Sequence, residues 1–183
     1  MELQPILIQT PRLILKGLTP EDVTYIFENY TKEDIKKLLG HQSEEEYQKE
    51  ANRQMNGYTS FNNRFMQFII ADKFSGANIG RCLYHSWSPE HKRAEIAYYI
   101  TVESFKGQGL MSEAVSAVLD YGFHQMQLHR IEALVAPDNT ASLSIIKKFG
   151  FTQEGVLREH YYTNNQYEDS VVFSLLRREY MSK

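Results

Sequence analysis

Apolar and polar residues alternate along Pro11-Arg-Leu-Ile-Leu-Lys16, the mark of a half-buried strand. Thr19-Pro20-Glu21-Asp22 follows with a cap residue, a proline at the first helical position and acids in the first turn, which predicts a helix to about Tyr30. Ser43-Glu-Glu-Glu46 has the form of a capping box. The fourfold spacing of Tyr47, Ala51 and Met55 predicts a mostly solvated helix after it. Two apolar, β-rich runs, Phe65 to Ala71 and Asn78 to Ser86, are separated by Lys73-Phe-Ser-Gly76, and a third, Ala94 to Val102, follows the turn at Ser86-Trp87-Ser88-Pro89. Connections this short predict three consecutive antiparallel strands.

Beyond Val102 the spacing turns helical: Val115, Val118, Leu119, Phe123 and Met126 fall on one stripe of the segment Ser112 to Met126. Arg130 to Ala136 reads as a buried strand. Pro137-Asp138-Asn139 opens a short helix that ends at Phe149-Gly150, where glycine suits a left-handed cap. Strands near Phe151 to Arg158 and Ser170 to Leu176 complete the series. No repeat, low-complexity tract or linker interrupts the 183 residues, so the pattern predicts one α/β domain over 1–183 with a mixed sheet.

Charge narrows the function classes. Twenty Lys and Arg stand against 23 Asp and Glu, with no long run of one sign, which argues against a nucleic-acid binder built on phosphate neutralisation. The one cysteine, Cys82, cannot form a disulfide within the chain, which fits a reducing cytoplasm, and it is expected to be a small core residue. Met1 to Thr10 lacks the basic start and apolar core of a signal peptide, and no apolar run has the length of a membrane span, so neither export nor a membrane is expected. Six histidines show no ligand spacing, and no metal is expected.

Lys106-Gly-Gln-Gly-Leu-Met111 follows an apolar strand and opens an amphipathic helix. Free backbone N–H groups at a helix start suit a phosphate, and Gly107 and Gly109 let the chain approach it closely. The loop lacks the GK[ST] of a nucleoside triphosphatase. A dinucleotide fold is the nearer rival, since Gly107-Gln-Gly109-Leu-Met-Ser112 approximates GxGxx and Glu132 lies about 20 residues on. Too little chain follows the loop for a second mononucleotide half.

These residues resemble the GNAT acyltransferases, whose coenzyme A loop reads [QR]xxGx[GA]; Lys106, Gly109 and Met111 occupy its defining positions. Pro11-Arg-Leu-Ile-Leu, Ala94-Glu-Ile-Ala-Tyr-Tyr, Arg130-Ile-Glu-Ala, Asn139-Thr-Ala-Ser142, Phe149-Gly-Phe and Glu154-Gly-Val-Leu-Arg158 fall in the family's order over nearly the whole chain. They look most like the RimJ/RimL subgroup, which acetylates N-termini of ribosomal proteins. The resemblance implies a mixed, mostly antiparallel sheet flanked by helices, with a splayed strand before the coenzyme A loop. It implies acetyl-CoA as cosubstrate, held at Val102, Lys106, Gly107, Gln108, Gly109, Leu110, Met111 and Ser112, with Asn139 against the pantetheine arm. A protein N-terminal α-amine is then the expected acceptor. A small amine or polyamine is the alternative acceptor, and a coenzyme A sensor without turnover is the non-enzymatic alternative.

Moving acetyl to an amine needs a base and hydrogen-bond donors at the carbonyl. Glu95 alternates with Ala97, Tyr99 and Thr101, a face of mostly small or aromatic residues, where a carboxylate gains a raised pKa and serves as a base or as a structural acceptor. His160, which the resemblance sets near the acceptor, is a second candidate. Where many relatives carry a thiol-protonating tyrosine this chain has Ile146, and the resemblance brings the Ser142 hydroxyl near the sulfur instead. Asn139 and Ser142 also fit simple helix-start hydrogen bonding. The C-terminal strand edge offers a place for self-association.

Overall fold

The computed structural model describes residue 3 and residues 5–56, 64–163 and 165–182. They form two compact units, residues 1–87 with 97–118, and residues 88–96 with 119–183. Met1, Glu2 and Gln4 of the N-terminal reading lie outside the described residues.

In the first unit β1 (Ile6–Gln9), β2 (Leu13–Leu18), β3 (Met66–Asp72) and β4 (Asn78–Ser88) stand side by side, each of the three pairs antiparallel. Every residue of β3 is buried, as a central strand requires. The helices α1 (Pro20–Asn29), α2 (Lys32–Leu39) and α3 (Glu44–Asn56) precede β3. Thr19 is the predicted cap of α1, and with Asp22 it closes a full capping box. Val23, Ile26, Ile35 and Leu39 bury against Leu18 and Ile69 of the sheet. The strand β5 (Arg93–Ile100) lies next to β4.

The second unit takes the start of β5, then β6 (Arg130–Val135), β8 (Gln166–Leu176) and β7 (Thr152–Thr163) in that spatial order. It also holds α5 (Thr140–Lys148) and α6 (Arg177–Met181), while α4 (Leu110–His124) is shared. β5 and β6 are parallel, and β6, β8 and β7 are antiparallel. The parallel pairing covers only Arg93 to Glu95 against Arg130 to Glu132, although β5 runs on to Ile100 and β6 to Val135. This is the mixed, mostly antiparallel sheet with a splayed strand that the sequence led us to expect.

Several elements differ from the expectation. The strand β1 and the helix α6 are too short for periodicity to reveal. The helix α2 has readable ends, a Thr31 cap and a left-handed Gly40, yet only eight residues. The helix α3 is mostly solvated, as predicted, with Ala51 buried and the Glu50 carboxylate turned inward, but Met55 of its expected stripe is exposed. The strand β7 passes beyond Arg158 to Thr163, and its register with β8 breaks between Leu157 and Tyr161. His160, beyond the Arg158 limit of the predicted strand, is therefore inside a bulged one.

At Gly80 the β4 and β5 backbones leave no room for a side chain. A Cβ there would lie 2.3 Å from the Tyr99 carbonyl oxygen and 3.0 Å from the Ile100 Cα, both backbone atoms. Gly80→Ala is expected to cost about 1–3 kcal/mol, the usual range for overpacking. A urea midpoint equal to that of the parent would show that β4 and β5 separate freely at this point.

Candidate active site

The loop after β5 is shaped by its backbone. Val102 is extended and its carbonyl accepts from Phe105 N–H, starting a single 3-10 turn over Glu103–Phe105. Gly107 and Gly109 have φ of 72° and 75°, where a side chain is strained. A Cβ at Gly107 would meet nothing within 4 Å, so glycine is required there by conformation and the backbone is open to a ligand. Lys106 pairs with Glu103 at 2.6 Å, and the Gln108 amide donates to the Ser104 carbonyl at 2.6 Å. Leu110 and Met111 turn inward as core residues. What α4 offers at its start, from Gly109 to Ser112, is backbone N–H groups, which fit the pyrophosphate of coenzyme A.

One residue that the sequence reading left without a role holds this loop in place. Arg12 donates its backbone N–H and its Nε to the Glu113 carboxylate at 2.9 and 2.7 Å, and its Nη1 to the Gln108 carbonyl at 3.0 Å. The Thr10 hydroxyl donates to the same carboxylate at 2.6 Å. The signal was present in Pro11-Arg-Leu, but the partner is 101 residues away.

In the second unit Glu95 stands in register with Glu132. Glu132 accepts from Arg93 Nη1 at 3.1 Å and from Arg130 Nε at 2.7 Å. These bonds occupy the carboxylate that a dinucleotide fold would give to a ribose. Arg130 also grips Glu154 through both of its terminal nitrogens, and the Ser174 hydroxyl donates to Glu154 at 2.7 Å. The Arg130 and Ser174 hydrogen bonds hold the Glu154 carboxyl down at about 2. Glu95 is treated differently: burial, and then the charge of Glu132, push its carboxyl up to about 7. A carboxylate so placed exchanges a proton near neutrality.

Asn139 caps α5, its side-chain oxygen accepting from the Ser142 N–H at 3.0 Å. The helix-start reading therefore holds for the Asn139 side chain and the Ser142 backbone, while Ile146 is a buried core residue. His160 Nδ1 lies 3.1 Å from the hydroxyl of the buried Ser170, and its ring packs 4.4 Å from that of Tyr161. Asp169 accepts the N–H of Glu159 at 2.8 Å, closing the β7 bulge. Cys82 is fully buried, and burial pushes its thiol up, so it belongs to the core. Among the described residues no three His, Cys, Asp or Glu gather as a metal site, and no helix is long and apolar enough to cross a membrane.

The family model for the acetyltransferase (GNAT) domain matches residues 12–152. The chain belongs to the GNAT acetyltransferases. It is similar to the N-acetyltransferase YoaA of Bacillus subtilis, 32% identical over 93% of this chain and 97% of that one. YdaF of the same organism, named provisionally as a ribosomal N-acetyltransferase, is 32% identical over only 58% of either chain. The spermidine N(1)-acetyltransferase of Escherichia coli K12 is 30% identical over 51% of this chain and 50% of its own. A crystallised GNAT acetyltransferase from Bacillus anthracis shares the fold, with a TM-score of 0.67 and 24% identity over 95% of this chain and all of the other. This GNAT chain is accordingly an acyltransferase of the acetyl-CoA-dependent type.

Two predictions follow from this geometry. Gly109→Val adds a β-branched side chain at a φ of 75° and should weaken coenzyme A binding at least ~10-fold in calorimetry. Equal affinity in a folded variant would remove the loop from the site. Because the folded state raises the Glu95 carboxyl from 4.5 to about 7, folding binds that proton more tightly, and stability is lost as pH rises from 4.5 through 7. Glu95→Gln should thus raise the melting temperature at pH 8.5 more than at pH 5, and an equal shift at both would mean that the carboxyl is not perturbed.

Proposed function

We propose that residues 1–183 act as one acetyltransferase domain that moves acetyl from acetyl-CoA to an N-terminal α-amine, with a ribosomal protein as acceptor, in the cytoplasm. The observation that carries the chemistry is the Glu95 carboxyl near 7. Bound acetyl-CoA supplies the activated acyl group as a thioester. The Gly107 to Ser112 backbone holds the pyrophosphate, and the Asn139 amide, whose oxygen already caps α5, offers its NH2 to the pantetheine arm. Glu95 takes the proton of the acceptor amine, directly or through water, as nitrogen bonds to the acetyl carbon and the carbon–sulfur bond breaks. His160 serves the acceptor as a second base candidate. The Ser142 hydroxyl relays a proton to the departing sulfur, a modest task because a thiol of pKa ~8.5 is already a fair leaving group.

A sensor of coenzyme A would have no use for a carboxyl poised near neutrality, which favours the enzyme. A polyamine acceptor is the second reading, supported by the partial match to the Escherichia coli spermidine enzyme.

The base must be deprotonated, so kcat/KM should climb with pH and reach half its plateau near 7. Glu95→Gln should lower turnover by about 10² to 10⁴ and remove that climb while coenzyme A still binds. Near-normal turnover would make Glu95 structural, and loss of the climb in His160→Gln instead would transfer the role. Ser142→Ala should lower kcat ~10-fold with an unchanged coenzyme A Kd. If only the melting temperature falls, Ser142 is part of the cap and the thiolate leaves unaided.

A further inference from the structure

Ser170 on β8 is 2% exposed, and among the described residues its hydroxyl has one partner, His160 Nδ1 at 3.1 Å. The irregular register of the hairpin brings the two together. Leu157 pairs with Ser170 and Tyr161 with Glu168, so Arg158, Glu159 and His160 share the one opposing residue, Asp169. Glu159 takes a φ of 52°, which is costly for a residue with a side chain, and its N–H donates to Asp169 Oδ1 at 2.8 Å. Together with two apolar neighbours, Arg158, Glu159, His160 and Asp169 line a cavity of about 660 Å³.

The bond at Nδ1 decides what His160 offers to that cavity. A hydroxyl has one hydrogen and two lone pairs, and a buried hydrogen without an acceptor is tolerated less well than a spare lone pair. Nδ1 is the acceptor within reach, so the Ser170 hydroxyl donates to it. In the neutral ring the hydrogen then sits on Nε2, the ring nitrogen left for the cavity. His160 presents a donor there, and of the two base candidates the proton transfer is left to Glu95.

A peptide N-terminus fits these groups. Among the described residues neither the Glu159 nor the Asp169 carboxylate has an ion pair, and both suit an ammonium. The carbonyl oxygen of a first residue is a near neighbour of its α-amine, and it accepts, as the His160 Nε2–H requires. Arg158 also only donates, so oxygens further along a peptide suit it. A polyamine brings ammonium groups alone, which leave Nε2–H unpaired and set positive charge beside Arg158. The cavity also adjoins the chemistry. The His160 ring packs 4.4 Å from that of Tyr161, whose hydroxyl is raised by burial and then by the charge of Glu95.

We propose that Ser170 is a positioning residue that fixes His160 as an Nε2–H donor to the first carbonyl oxygen of a peptide acceptor. This rests on the acetyltransferase reading above, but the tautomer is read without turnover. In the full chain with isotope-labelled histidine at pH 8.5, where an ordinary imidazole is neutral, the proton–nitrogen spectrum should show Nε2 of His160 protonated and Nδ1 bare. The signal is assigned by its loss in His160→Gln. Ser170→Ala should mix the two forms. With an alanyl dipeptide amide as acceptor, His160→Ala should raise KM about 3- to 10-fold, the worth of one hydrogen bond, and leave the climb of kcat/KM with pH intact. His160→Gln, whose amide nitrogen stands in for Nε2, should recover most of that loss, and Ser170→Ala should raise KM in the same direction. A proton on Nδ1 in the parent, loss of the climb in His160→Ala, no recovery by glutamine, or an unmoved KM in Ser170→Ala would each overturn the assignment. Should Ser170→Ala fail to fold, the parent's tautomer and the two His160 variants decide it. If no amine is acetylated, calorimetry of the dipeptide amide in the presence of coenzyme A replaces KM. Binding that weakens in His160→Ala and returns in His160→Gln then keeps the donor while the transfer reading falls, and no binding removes both.

Discussion

Three parallel residue pairs, Arg93 to Glu95 against Arg130 to Glu132, fix the electrostatics of the second unit. Because strand side chains alternate, this register sets the two carboxylates side by side, and a slip of one residue would send Glu95 to the opposite face. The consequences for the pair are unequal. Glu132 accepts from two guanidinium groups. Glu95 has burial and the charge of Glu132 beside it, and both make ionisation harder. Arg130 then extends the network to Glu154, and Ser174 anchors it from β8, so four strands share in it.

The glycine loop works on another principle. Its conformation comes from two left-handed glycines and its rigidity from Arg12, which binds a carbonyl within the loop and a carboxylate in the first turn of α4. Glu113 near the start of α4 also agrees with the helix dipole. None of this depends on the Lys106 side chain, already paired with Glu103, or on Met111, buried in the core. Those are the two positions where the loop departs from the usual family residues. A loop that acts through its backbone tolerates such departures.

How much was legible in the sequence follows from the range of the interactions. Local signals were reliable: the Thr19 cap, the left-handed Gly150 cap and the apolar, β-rich runs of β3 to β5 are each decided within a few residues. The Arg12 contact, the pairing of Glu95 with Glu132 and the inward turn of Glu50 depend on residues 31 or more positions apart, and no periodicity encodes them. The β7 bulge was hidden for a different reason. Three residues, Arg158 to His160, face a single one on β8, and Glu159 takes a φ of 52° with nothing but an ordinary polar sequence to announce it. Resemblance to the family supplied the fold and the donor loop, because those rest on glycines and on patterns that recur.

The acceptor side obeys a less general rule. A pyrophosphate is bound by backbone N–H groups that any sequence supplies, so one loop serves a whole family. An amine acceptor is distinguished by the groups around its nitrogen, and side chains must supply that discrimination. In this chain they differ in character from place to place. The β7 bulge lines a cavity of about 660 Å³ with Val156, Leu157, Arg158, Glu159, His160 and Asp169, a mixture of apolar residues and both signs of charge. In the interior of the first unit the Glu50 carboxylate is ion-paired with Arg81 and contacts His41. Among the described residues a strongly acidic lining, which would suit a polycation, is found at neither. Relatives that share the loop can therefore differ in acceptor, and the fold alone carries no vote between a peptide and a polyamine.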